Sequence, residues 1–305
     1  MDTLQAMRVF VRIVEAGSLT RAADSSGMSM PTVSKLLQTL EHHLGCKLMN
    51  RTTRKVSLTE DGHAYYQRCV NVLSEIDDME ASLSRAKVAP KGRLKINLPT
   101  ALAKHLVIPA LPEFVAQYPD IHIELGLTDR QVDVIGEGVD CVVRVGALAD
   151  SGLVAKRIGS MTTCVCASAD YLARYGTPMM IADLDQHVAV NYISGDTGRP
   201  RIWEFLVDGE TKSVPMRGAV SVNDADAYVA CVLAGLGLGK TALYLVEPYL
   251  RDGRLQEVLR PFNAKPRPVS LLYVPNRHLP QKLKLFIDWI NALFAKYPGL
   301  QGKAL

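Results

Sequence analysis

Glycines at positions 17, 27 and 45 each follow a run of helically spaced apolar residues, and they cut the start of the chain into three short helices. Leu4, Met7, Phe10, Val11 and Val14 supply the first period, which Gly17 stops. Ser18 is placed to cap a second helix, whose Leu19, Ala22 and Ala23 form a small inner face before Gly27. The third opens at SMPTVSKLLQTLEHHLG, with Ser29 as N-cap and Pro31 in the first turn, where its missing N–H has no helical partner to lose. Val33, Leu36, Leu37, Leu40 and Leu44 are its expected buried stripe. Two short helices joined by a tight glycine-containing turn constrain the fold strongly, because this is the helix-turn-helix arrangement.

The outward face of the third helix carries Thr32, Ser34, Lys35, Gln38 and Thr39, short donors and acceptors with one cation. Such a face suits base edges and phosphates in a major groove, although any one of these residues also fits a solvated surface. Charge distribution separates the two. The net charge of +4 is mild, but no acid lies between Glu41 and Glu60, whereas Lys47, Arg51, Arg54 and Lys55 do. CKLMNRTTRKVSL reads as two strands around a cationic tip, a wing that reaches a minor groove or phosphate. The expected DNA-contacting residues are therefore Ser29, Pro31, Thr32, Ser34, Lys35, Gln38, Arg51, Thr53 and Arg54.

The run SLTRAADSSGMSMPTVSKLLQTLEHHLGCKLMNRTTRKVSLTEDG resembles the DNA-binding domain of LysR-type transcriptional regulators. The pattern AA…S-x-P-x-VS-x-x-L-x-x-LE-x-x-LG-x-x-L…R-x-x-R…LT-x-x-G is long and ungapped. Met30 stands where that family often has a glutamine.

Thr59 is placed to cap a long helix whose Tyr65, Cys69, Val72, Ile76, Met79 and Leu83 follow heptad spacing. The stripe could pack on a globular domain. The other faces are crowded with polar residues, however, so a single narrow strip needs cover, and a partner helix provides it. A two-fold dimer predicts a near-palindromic site read at two half-sites. In the resembling family this helix is likewise a dimerising linker.

VAPKG breaks the helix, and strand-like and helical periods then alternate: Leu94, Ile96 and Leu98; a helix from about Ala101 to Tyr118; Ile121, Ile123, Leu125 and Leu127; then VDCVVRVG. That alternation predicts an α/β fold with a parallel sheet between helices. The expected organisation is a winged helix-turn-helix over 1–58, a dimerising linker helix and hinge over 59–91, and an effector-binding domain over 92–305. The last comprises two Rossmann-like α/β subdomains, 92–162 with 268–305, and 163–267, with a cleft between them and crossovers near 162 and 267. Through GVDCVVRVG, ASADYLARYG, ADL, RIWEF and AGLGLG this part resembles LysR-type effector domains, which implies a type 2 periplasmic-binding-protein-like fold.

GLGLGKTALY invites comparison with a phosphate loop, G-x-x-x-x-G-K-[ST], but the first glycine is missing: Ala234 occupies that position. A phosphate loop also leads from a strand into a helix, whereas DADAYVACVLA, capped at Asn223, leads into these glycines as a helix. Gly235, Gly237 and Gly239 then read as a C-cap followed by close packing, and Lys240 and Thr241 depart from the family's usual sequence there.

Ligands of paired α/β subdomains bind outside the carboxyl ends of the strands, which nominates Thr100, Ala101, Thr128, Arg144, Gly146, Arg199, Arg201 and Asn223. Thr100 could equally be a plain N-cap. Thr100 and Thr128 are also the positions that the resemblance implies. If Arg144 or Arg199 faces the cleft, a small carboxylate effector follows.

No G-x-S-x-G, no H-E-x-x-H and no complete phosphate loop speak for an enzyme, and no metal or cofactor is expected. Cys46, Cys69, Cys141, Cys164, Cys166 and Cys231 read as small apolar side chains without zinc spacing. An amphipathic start and no apolar run of about 20 residues point to the cytoplasm, with no membrane partner. The expected protein is a homodimer or homotetramer that binds double-stranded promoter DNA and answers to a small-molecule effector, with RNA polymerase a conceivable further partner. A ligand-independent architectural DNA-binding protein is the alternative.

Overall fold

The computed structural model describes residues 2–52, 55–83, 90–148, 151–195, 197–275 and 279–302. The chain divides into two compact units, Met1–Arg93 with Gly136–Gly138, and Leu94–Ile135 with Val139–Leu305.

In the first unit, α1 (Thr3–Ala16), α2 (Leu19–Ser26) and α3 (Met30–Leu44) precede an antiparallel hairpin of β1 (Met49–Thr52) and β2 (Lys55–Leu58), then the long α4 (Glu60–Leu83). Side-chain caps start the three short helices: an oxygen of Asp2 accepts from the Gln5 N–H, Ser18 from Arg21 and Ser29 from Thr32. Gly17, Gly27 and Gly45 end them in the left-handed conformation. Ala6, Phe10, Ile13, Ala22, Val33, Leu37, Leu40 and Leu48 form the shared core.

Two expected stripes are displaced. In α1 the buried residues are Ala6, Val9, Phe10 and Ile13, while Leu4 is exposed. This helix packs on α2, α3 and α4 together, so its apolar surface spans more than one stripe, and periodicity alone selects an adjoining one. In α3, Val33, Leu37 and Leu40 are buried but Leu36 is half-buried and Leu44, in the last turn, is exposed.

The start of α4 is fixed to the wing. Thr59 Oγ1 accepts from the Gly62 N–H at 2.9 Å and donates to the Lys47 carbonyl at 2.6 Å. Glycine is required at 62 because a Cβ there would lie 1.9 Å from the Leu48 carbonyl oxygen.

The second unit contains, in order, β3 (Gly92–Leu98), α5 (Thr100–Leu102), a π-helical turn (Ala103–Val107), α6 (Ile108–Gln117), β4 (Ile121–Leu127), β5 (Cys141–Val145), β6 (Val154–Met161), β7 (Thr163–Ser168), α7 (Ala169–Tyr175), β8 (Asn191–Tyr192), β9 (Trp203–Val207), β10 (Glu210–Val214), β11 (Ser221–Val222), α8 (Ala225–Leu233), β12 (Gly239–Ala242), α9 (Leu243–Arg251), β13 (Leu255–Val258), β14 (Arg267–Tyr273) and α10 (Gln281–Ala295). A five-stranded sheet runs β4-β3-β5-β14-β6, and a three-stranded sheet runs β12-β7-β13.

The wholly parallel sheet expected from the alternation is not what forms. β3 and β5 are parallel, but β14 lies antiparallel between β5 and β6, and β7 pairs antiparallel with both β12 and β13. Short links and a strand returning from the other sheet can form antiparallel pairs without a helical crossover, which a sequence of alternating elements does not reveal. β9 and β10 add a tight hairpin over Asp208 and Gly209, both at positive φ.

Candidate nucleic-acid interface and effector cleft

The capping of α3 decides which residues it offers to solvent. Ser29, Pro31, Thr32, Lys35 and Gln38 are exposed and Ser34 is half-buried, whereas Val33, Leu37 and Leu40 are buried. Ser29 is engaged twice, as cap and in a 2.8 Å hydroxyl contact with Thr32. Thr39 donates to the Lys35 carbonyl at 2.8 Å, so its hydroxyl is tied to its own helix. Met30, more than half exposed at 52%, opens the same face with an apolar side chain. Arg51 lies on β1, where the backbone alone is described, and Thr53 and Arg54 fall outside the described residues.

A residue absent from the expected set fixes the wing to this helix. Glu41, on the buried side of α3, accepts from the backbone N–H groups of Leu48 at 3.0 Å and Met49 at 3.3 Å and from Lys47 Nζ at 2.8 Å. Burial alone would push its pKa up; the Lys47 and backbone hydrogen bonds outweigh that and hold the carboxyl below its ordinary value. Its position in the LE-x-x-LG run was visible, but its inward direction was not.

The heptad stripe of α4 has two environments. Tyr65 and Cys69 pack into the core of their own unit, Tyr65 with its ring centroid 5.8 Å from that of Phe10. Val72 and Met79 are exposed and Ile76 is half-buried; the side chain of Leu83 falls outside the description.

In the second unit a cavity of about 360 Å³ opens between the two sheets. Of the expected residues, Ala101, Arg144 and Arg201 line it, whereas Thr100, Thr128, Gly146, Arg199 and Asn223 do not. Pro99 takes the N-cap position of α5, so Thr100 is neither its cap nor a wall. Thr128 turns its hydroxyl to the Arg130 N–H at 3.1 Å. Asp224, not Asn223, caps α8, accepting from the Ala227 N–H at 2.8 Å. Gly146 shapes the cavity indirectly: a Cβ there would meet Nη2 of the lining residue Arg267 at 2.5 Å.

Of the two arginines expected from the second subdomain, Arg201 lines the cavity where Arg199 does not, its guanidinium 5.4 Å from the ring centroid of Tyr192. Asp129, absent from the expected set, follows Thr128 and lines the cavity. Burial raises the Asp129 pKa, opposed by a 3.4 Å hydrogen bond from the Tyr192 hydroxyl. Burial, with Asp129 beside it, pushes Tyr192 up to about 12. Lys240 lies on β12, its Nζ 4.1 Å from the Phe205 ring centroid and donating to the Glu204 carbonyl. Burial brings the Lys240 pKa down to about 8. Among the charged residues of the wall, the cations Arg144, Arg201, Lys240, Lys265 and Arg267 outnumber the acids Asp129 and Glu204.

The glycines before Lys240 serve packing. Gly235 follows the last turn of α8 at positive φ, and a Cβ on Gly239 would lie 2.4 Å from Val232 Cγ2. Nothing there opens N–H groups toward a phosphate at a helix start.

Residues 4–63 match the family described as bacterial regulatory helix-turn-helix protein, lysR family, and residues 88–295 match the LysR substrate binding domain. The chain is 37% identical over 297 residues to the uncharacterized HTH-type transcriptional regulator YhjC of Escherichia coli strain K12, covering 97% of this chain and 99% of that protein. It is 34% identical to the HTH-type transcriptional activator AaeR of the same organism, covering 97% and 95%, and 36% identical to an HTH-type transcriptional repressor of Pseudomonas aeruginosa, covering 99% and 95%. Among solved structures, CrgA, a LysR-type transcriptional regulator from Neisseria meningitidis, matches with TM-score 0.61 at 29% identity, over 94% of this chain and 97% of that one. The Vibrio cholerae virulence activator AphB matches with TM-score 0.58 at 29% identity, over 95% and 98%. A capped third helix with its hairpin, an α/β unit with a lined cleft, and matches spanning both parts make this chain a member of the LysR family of transcriptional regulators.

Proposed function

We propose that this regulator binds promoter DNA as a homodimer or homotetramer and that a small carboxylate in the cleft changes how it sits on that DNA. The carrying observation is the exposed polar face of α3, where Lys35, Gln38 and Thr32 stand opposite a buried stripe that leaves them no role in the core. Lys35, Arg51 and Arg54 supply phosphate contacts, and Thr32, Ser34 and Gln38 supply base-edge contacts, with Ser29 and Pro31 at the helix start near the backbone. Val72, Ile76 and Met79 form the part of the α4 seam that faces a partner helix, and two recognition helices then read two half-sites.

The cationic wall of the cleft supports a carboxylate effector. Differential affinity of that ligand for two arrangements of the protein is what couples it to DNA. AaeR is named an activator and the Pseudomonas relative a repressor, and transcription from the target promoter with and without this protein reads which sign applies here. RNA polymerase is the natural contact if the effect is activation.

Binding of a labelled promoter duplex across a salt series tests the reading. Lys35→Ala should weaken binding on all sequences and reduce the salt slope by about 1. Undiminished affinity and slope in that variant would remove α3 from the groove.

A further inference from the structure

Lys240 directly follows Gly239, and nothing in the packing of the glycines before it needs a cation. β12 pairs with β7 in a register that sets Lys240 opposite Val165, and its backbone N–H donates to the Tyr228 hydroxyl at 2.9 Å. The side chain is thereby directed to the cavity wall, over the fully buried ring of Phe205. An ammonium has three donors, and the Glu204 carbonyl takes one. Among the described residues no carboxylate pairs with it.

We infer that Lys240 is the anion-selecting residue of the cleft, donating its remaining hydrogens to the carboxylate of the effector. This rests on the reading that the cleft takes a carboxylate. The ring beneath holds the ammonium in place while the partial loss of solvent makes an unpaired charge costly, so an arriving anion gains both the charge and a donor already in place. A neutral isostere gains neither.

The same surroundings make the selection dependent on pH. Glu204 from β9 and Cys164 from β7 face the amine, Tyr228 from α8 touches its backbone, and Glu257 on β13 lies near Cys164. A hydrogen bond with Cys166, and then burial, keeps the Cys164 thiol neutral, well above its ordinary range, and burial pushes Tyr228 up. The amine is therefore the group on this wall that changes charge near pH 8, and Glu204 opposes the shift only in part. An anion prefers the protonated amine, so binding is strongest below about pH 8 and weakens as pH rises through and beyond it.

The test is equilibrium dialysis of labelled benzoate, with benzamide as its neutral isostere, against the full-length protein and its K240M and K240R variants. We expect benzoate to bind the unaltered protein and to lose about tenfold or more in K240M, the scale of a charged hydrogen bond. Its affinity should fall from about pH 7 to about pH 9.5 in the unaltered protein and stay level in K240R, whose guanidinium remains charged. Equal benzoate affinity in the unaltered protein and K240M, or a pH profile that persists in K240R, would overturn the role of Lys240 while leaving a carboxylate in the cleft. Benzamide binding at least as well as benzoate, or no benzoate binding at all, would overturn both readings.

Discussion

A carboxylate inside an apolar core is costly unless its oxygens are fully engaged, and Glu41 meets that condition through Lys47, Leu48 and Met49. It joins α3 to the strand that begins the wing. Glu41→Ala strands the two backbone donors, and the expected loss is about 2–4 kcal/mol of stability in the first unit, read by denaturant unfolding. Because the folded-state pKa of Glu41 lies below its ordinary value, its contribution is present above the unfolded pKa and is lost as pH falls through the folded one. Acid unfolding of Glu41→Gln should accordingly show a shallower pH dependence than that of the unaltered protein. Gly62→Ala is expected to destabilise the same joint, since its Cβ would meet the Leu48 carbonyl at 1.9 Å, and differential scanning of the variant checks it. These residues stood in the sequence as a repeated pattern; what it withheld was their direction, because a glutamate on the buried side of an amphipathic helix looks like a charged surface residue until the strand beyond it is in place.

Among the elements, α4 carries the clearest division of labour. Its early apolar residues, Tyr65 and Cys69, belong to the core of the first unit, while Val72 and Met79 stand exposed further along. Val72→Glu should therefore leave the fold intact by circular dichroism and lower the solution mass in sedimentation; an unchanged mass would remove the seam from this part of the helix. The helices were legible because caps, glycine stops and period lie within one short stretch of chain, as at Ser18, Ser29 and Gly45. The cleft was less legible because its walls are set by strand pairing between distant segments. Asp129, beside the expected Thr128, and Lys240, among the packing glycines, reach the cavity through registers and turns that no local pattern encodes.

For the whole molecule, a helix-turn-helix with its wing and an α/β unit with a cation-rich cleft are carried on one chain that belongs to a family of transcriptional regulators. In the proposed dimer, two chains related by a two-fold axis would present two copies of α3, and the preferred DNA would then carry two related half-sites. The most direct measurement is selection of bound duplexes from a random-sequence pool by the full-length protein, followed by footprinting on the winner. The account predicts an inverted repeat whose half-sites are separated by about one helical turn of DNA or a multiple of it, protected together and lost together in Lys35→Ala. Enrichment of a single unrepeated site, or of no sequence at all, would contradict it.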